Sequence, residues 1–125
     1  MQPSARKRPV VLIVEDEFLV RIGTRAAIEM AGFDVLEAGD ADEAVSILAT
    51  RSDIHLIFTD IHMPGSMDGL KLAYFVRDRW PPVKIVATSG RARINDSDLP
   101  EGGRFLPKPY SAAEITTTLR ELIQG

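Results

Sequence analysis

The first long apolar stretch of the chain, Val10-Val-Leu-Ile-Val14, contains no polar position and stops abruptly at Glu15-Asp16-Glu17. A short, largely β-branched run that is apolar throughout predicts a strand covered on both faces, as in a parallel sheet. Beyond the acids, Phe18, Leu19, Ile22, Ala26 and Met30 recur at helical spacing, and Gly32 can take the left-handed conformation that closes a helix. Residues 34–38 read as a second strand, and Asp40 with Glu43 forms a capping pair for a helix through Leu48 and Ala49. A third strand over residues 56–59 delivers Asp60 at its end. A Met-Pro-Gly loop follows, then a helix from about Asp68 to Arg79 that Pro81 and Pro82 stop. Residues 83–88 give a fourth strand and residues 104–106 a short fifth. Ser111-Ala-Ala-Glu114 is a capping box for a last amphipathic helix built on Ile115, Leu119, Leu122 and Ile123.

Strict alternation of β and α elements implies an α/β, doubly wound architecture, because right-handed crossovers place helices on both faces of a parallel sheet. The weak repeat lies between strands four and five. There Ser97, Asp98, Pro100, Gly102 and Gly103 leave little room for a full helix, so that fourth helix is expected to be short or irregular. Residues 10–125 are read as one domain, and residues 1–9, which include Arg6, Lys7 and Arg8, as a flexible basic tail.

Composition narrows the function classes. At 125 residues the chain is long enough for one core, and the absence of cysteine excludes a disulfide framework and a thiolate metal site. That absence fits a reducing cytosol, and a cytoplasmic location is expected. No apolar run approaches the roughly 20 residues of a membrane helix, and no signal-peptide segment precedes the first strand, so membrane insertion and export are not expected. With a net charge of -3, three adjacent positive residues near the start do not make a nucleic-acid surface.

In an open parallel sheet, ligands bind beyond the carboxyl ends of the strands. Strand one ends in Glu15 and Asp16, strand three in Asp60, strand four in Thr88 and Ser89, and strand five leads into Lys108-Pro109. Carboxylates gathered at one edge stay ionised together only if a cation compensates them. Oxygen donors without cysteine, and with His55 and His62 as the only ring nitrogens, favour Mg²⁺ over zinc, on Asp16 and Asp60; Mn²⁺ is the substitute. An aspartate beside such an ion and a lysine is equipped to attack phosphorus, with Lys108 and the Ser89 hydroxyl meeting the charge of the transferring group.

These residues resemble the receiver domain family of two-component response regulators. The resemblance rests on Glu15-Asp16 after an apolar strand, Thr59-Asp60-Ile-His-Met-Pro64 with Asp68-Gly69, the Ser89-Gly90 pair, and Phe105-Leu-Pro-Lys108-Pro109. It runs from about Val10 to Leu122. It implies a flavodoxin-like five-stranded sheet of order 2-1-3-4-5. It implies, too, that Asp60 accepts phosphate from a histidine kinase or histidine phosphotransfer protein. The acidic pair, Asp60 and the backbone carbonyl of His62 would hold Mg²⁺, while Lys108 and Ser89 (alternatively Thr88) sense the phosphoryl group and Phe105 turns as an aromatic switch. Ser89 is preferred because the small Gly90 after it suits the family pattern. Residues 64–68 carry one residue more than that pattern.

Each residue also has a plainer reading. The acids at residues 15–17 could serve only the positive end of a helix, Asp60 could cap a turn, Lys108 could be a solvated loop residue and Phe105 core. His55 is expected in a loop, the His62 ring in solvent, and Tyr74 and Trp80 in packing or facing a partner. The rival functions are a pseudo-receiver that binds partners without phosphorylation and, further off, an aspartyl-phosphate phosphohydrolase. The second needs a general acid where Ile61 and His62 stand. A flavin-binding module shares the fold, but no phosphate-cradling loop follows strand one. The output would pass to an unknown downstream protein, with a homodimer through the last helix left open. The chain is either a single-domain regulator or a piece of a longer one.

Overall fold

The computed structural model describes residues 8–91 and 93–124. It contains β1 (Val10–Val14), α1 (Phe18–Met30), β2 (Asp34–Ala38), α2 (Ala41–Thr50), β3 (Ile54–Asp60), α3 (Gly69–Arg79), β4 (Lys84–Ser89), β5 (Arg104–Pro107) and α4 (Ala112–Ile123). The strands are parallel in the order β2-β1-β3-β4-β5. This is the doubly wound sheet that the alternating pattern implies.

Strand alternation sorts the core into two layers. Val11 and Ile13 of β1 point with Leu56, Phe58 and Val86 toward α1 and α4, where Ile28, Ile115 and Leu119 meet them. Leu12 and Val14 point the other way, with Ile57 and Ile85, into Ala44, Leu48, Leu72 and Val76 of α2 and α3. Two buried faces explain why these strands are apolar at successive positions.

The helix boundaries follow their caps. Asp40 accepts from Glu43 N–H at 2.8 Å, while the Glu43 carboxylate reaches back one residue further than a capping box, to Gly39 N–H. Asp68 accepts from Lys71 N–H, and Ser111 and Glu114 form the full reciprocal box. Gly32 closes α1 at φ 106°.

The fourth helix is reduced to a single 3-10 turn, Asp96–Asp98. In place of a helix face, Leu99, Ile94 and Phe105 pack on Ile61 and Ala87 as a small third cluster. Tyr74 and Arg77 of α3 tie this connection down by donating to the carbonyls of Asp98 and Glu101. It is also tied to β5 through the Asp96 carboxylate, which accepts from Phe105 N–H, and is closed on itself by Gly103 N–H donating to Pro100 O, while after β5 Lys108 N–H reaches Ser89 O.

One local finding differs from the sequence reading. His55 lies inside β3, at a register shift where Val10 pairs with Ile54 and Val11 with Leu56, and its Nδ1 accepts from Val10 N–H. At the start, residues 1–7 of the expected tail, including Arg6 and Lys7, lie outside the described residues. Arg8 donates to the carbonyls of Gly32, Glu29 and Phe33. Among the described residues no helix is long and apolar enough to cross a membrane.

Candidate functional site

The carboxyl ends of β1, β3, β4 and β5 converge, so Glu15, Asp60, Thr88, Ser89 and Lys108 meet at one edge although they are far apart in sequence. Asp60 ends β3 and is 8% exposed; Glu15 is 4% exposed and Asp16 is exposed. Carboxylate oxygens of Glu15, Asp16 and Asp60 lie within 4.8 Å of one another. Two oxygens on one octahedral Mg²⁺ stand about 3 to 4 Å apart, so small side-chain rotations would let these acids share an ion. The all-oxygen donor set fits a hard divalent cation. The exposed His62 ring is not needed for it.

Lys108 Nζ bridges the acids, 3.0 Å from Glu15 Oε1 and 3.5 Å from Asp60 Oδ1. The second Glu15 oxygen accepts from Glu17 N–H. Burial is the main influence on both acids and pushes their carboxyls above the ordinary range, against the opposing pull of the Lys108 charge. Burial works the other way on Lys108, but the Glu15 hydrogen bond and the Asp60 charge outweigh it and leave the amine above its usual value. Three carboxylates and one ammonium leave the site short of positive charge.

The backbone around Asp60 is fixed by three hydrogen bonds. Thr59 Oγ1 donates to Asp60 O, Ile61 N–H donates to Thr88 O, and Ile61 O accepts from Gly69 N–H at the start of α3. A Cβ on Gly69 would stand 1.9 Å from Asp60 O and 2.8 Å from Ile61 Cα, all backbone, so no other residue fits there. The sequence reading noted Asp68-Gly69 as a pair without this reason. Within the 64–68 segment Gly65 has φ 112°, and Ser66 donates to Asp42 of α2.

Ser89 and Thr88 are both buried and face opposite sides of β4. Ser89 opens, with Phe105, Arg91 and Lys108, on a cleft of about 670 Å³, and its Oγ accepts from Arg91 N–H. Thr88 instead turns inward with Glu15, Thr24, Asp60 and Tyr110. Phe105 is half-buried in the third cluster, beside that cleft. Tyr110, which the sequence did not single out, hydrogen-bonds Thr24 across to α1; burial raises its hydroxyl above the ordinary value despite that bond. Of the two aromatics assigned to packing or a partner, Trp80 packs on the core and Tyr74 is exposed apart from its bond to Asp98.

The doubly wound sheet thus carries one acid-lined edge at the carboxyl ends of its strands. The chain matches the response regulator receiver domain over residues 11–120 and belongs to that family, whose members are signalling switches of two-component systems. It is 35% identical over 118 residues to the sensor kinase CckA of Brucella abortus (strain 2308), covering 91% of this chain and 12% of that protein. It is 36% identical over 118 residues to the aerobic respiration control protein ArcA of Escherichia coli (strain K12), covering 92% and 48%. A response regulator receiver protein from Sinorhizobium medicae WSM419 superposes with a TM-score of 0.87 at 25% identity, over 95% of this chain and 97% of that one. The chain spans half or less of the length of these two curated relatives.

Proposed function

We propose that this chain is a cytoplasmic phosphorylation switch in which Asp60 accepts a phosphoryl group from a phosphohistidine on a histidine kinase or histidine phosphotransfer protein. The observation that carries the reading is Asp60 at a strand end, 3.5 Å from the Lys108 ammonium and within one oxygen cluster with Glu15 and Asp16. Asp16, Asp60 and the His62 carbonyl would hold Mg²⁺ (or Mn²⁺), with Glu15 as the third acid of the set. The bound ion would neutralise phosphoryl oxygens during transfer.

An Asp60 carboxylate oxygen forms the new O–P bond as the donor's N–P bond breaks, the electron pair staying on the imidazole nitrogen. Lys108, already at the acceptor oxygen, meets charge developing on the phosphoryl group. The Ser89 hydroxyl, or alternatively Thr88, meets another oxygen. Drawing Ser89 inward frees the Arg91 N–H it now binds and opens room beside Phe105, so the signal passes to the third cluster and its covering turn. A downstream protein that reads this surface completes the pathway.

The test is intact mass after incubation with acetyl phosphate and Mg²⁺. One phosphoryl mass is expected on the wild type and none on Asp60→Ala or with chelator. Label on Asp60→Ala would overturn the assignment, and an unlabelled wild type, also with a phosphorylated protein donor, would favour the pseudo-receiver.

A protein donor must also lie against the molecule. Beside Lys108, a groove of about 650 Å³ is lined by Leu19, Val20, Gly23, Pro109 and Ala112, and Leu19 is 81% exposed. Leu19→Asp is expected to slow transfer from a competent phosphotransfer protein about tenfold, the effect of losing one apolar anchor. Labelling by acetyl phosphate should be unchanged; equal loss with both donors would remove the groove from donor docking.

A further inference from the structure

We propose that Arg21 is a positioning residue that sets the acidic loop after β1 for cation binding, a deepening that rests on the metal-dependent reading above. The loop leaves β1 at Glu15, whose N–H donates to Ala38 O. Its carbonyl is taken by Arg21 Nη1 at 2.6 Å, from the first turns of α1. The same guanidinium gives its Nε to Glu37 Oε1 at 2.8 Å, and Arg25 holds the other Glu37 oxygen. Glu37 sits on β2 opposite Ile13, so the strut is anchored to the sheet. Arg21 is 18% exposed, and its backbone N–H also closes on Glu17 O.

The bond to the Glu15 carbonyl fixes the plane of the Glu15–Asp16 peptide and thereby the direction in which Asp16 leaves the chain. Among the described residues the Asp16 side chain takes no hydrogen-bond or ion-pair partner, so nothing else aims it. Glu15, by contrast, is held by Lys108 and Glu17 N–H. Outer partners that orient metal-binding groups typically carry 10- to 100-fold in affinity.

Charge alone predicts the opposite sign. Arg21 is a cation near a cation site, so removing it would strengthen Mg²⁺ binding if electrostatics ruled. The strut predicts weakening, and the two effects are separable. The experiment follows the Asp16 and Glu17 amide shifts while Mg²⁺ is added to the full chain, with no phosphodonor present. Expected are saturable binding in the wild type, about tenfold weaker binding in Arg21→Gln, and a partial recovery in Arg21→Lys, whose single nitrogen cannot serve Glu15 and Glu37 in one fork. Arg25→Gln removes a charge from the same cluster without touching Glu15 and should leave the affinity within about twofold of wild type. Thermal unfolding without metal identifies any variant that is not folded, in which case Arg21→Lys against Arg25→Gln decides. Binding in Arg21→Gln equal to or tighter than wild type, or equal losses in Arg21→Gln and Arg25→Gln, would overturn the strut and leave the proposed function intact. No saturable shift in the wild type would overturn the metal-dependent reading, and the strut with it.

Discussion

Gly69→Ala is expected to lower stability by about 1–3 kcal/mol, as overpacking of a tight site does, and to reduce phosphoryl acceptance about a hundredfold. Alanine is normally the better helix residue, by about 1 kcal/mol, so on propensity alone the substitution would stabilise α3. The sign is reversed because the added Cβ has only backbone to meet: Asp60 O at 1.9 Å, Asp60 C at 2.7 Å and Ile61 Cα at 2.8 Å. Backbone cannot swing aside as a side chain tip can. Relief requires moving either the start of α3 or the peptide that carries the Asp60 carboxylate, and a displacement of about 1 Å at a reacting group can cost 10²-fold. Urea unfolding and acetyl phosphate labelling, normalised to folded protein, measure the two effects. A variant as stable as wild type and labelled at its rate would mean that the close approach is not obligatory.

Lys108→Ala is expected to slow labelling of Asp60 by about 10²–10³, the loss seen when one donor to a developing charge is removed. A change in pH dependence should accompany it. Burial raises the carboxyls of Glu15 and Asp60; the lysine is the chief opposing force on Asp60 and acts on Glu15 together with the Glu17 N–H. Without the lysine, both acids ionise at higher pH than in the wild type, so the labelling rate of the variant should keep rising over a pH range where the wild type has levelled. Stability linkage has a matching sign. The raised Lys108 contributes stability below its unfolded pKa, lost only as the pH climbs through its folded value. A variant labelled at the wild-type rate with the wild-type pH profile would leave Lys108 without a chemical role.

Much of this is legible in the sequence because local pattern and global fold agree. The run from Val10 to Val14 is apolar at every position because β1 lies inside the sheet, with α1 and α4 over one face and α2 and α3 over the other. Ser111 and Glu114 cap α4 with bonds that any Ser-x-x-Glu before an apolar stripe can make. The proline- and glycine-rich stretch before β5 forms only a 3-10 turn, as its composition implies. Strand ends carrying Asp60 and Lys108 could be placed at one edge from topology alone. What pattern could not give were contacts between residues distant in sequence. The shift that puts His55 within β3 depends on how Val10 pairs across the sheet. Glu15, expected beside a metal, is engaged by Lys108, 93 residues later, and by Glu17 N–H. The need for glycine at Gly69 comes from the close passage of α3 over Asp60, and no local rule signals it.

The outer margin of β5 has a further consequence. Along this edge strand the amides that point away from β4 fall at alternate positions, Gly103, Phe105 and Pro107. Gly103 N–H is spent on Pro100 O, Phe105 N–H on the Asp96 carboxylate, and Pro107 has none to give. The margin thus offers no free backbone donor on which an incoming strand could zip. A strand added along β5 would find carbonyl acceptors there but no amide donor, since a carboxylate holds the Phe105 N–H and position 107 is an imino acid.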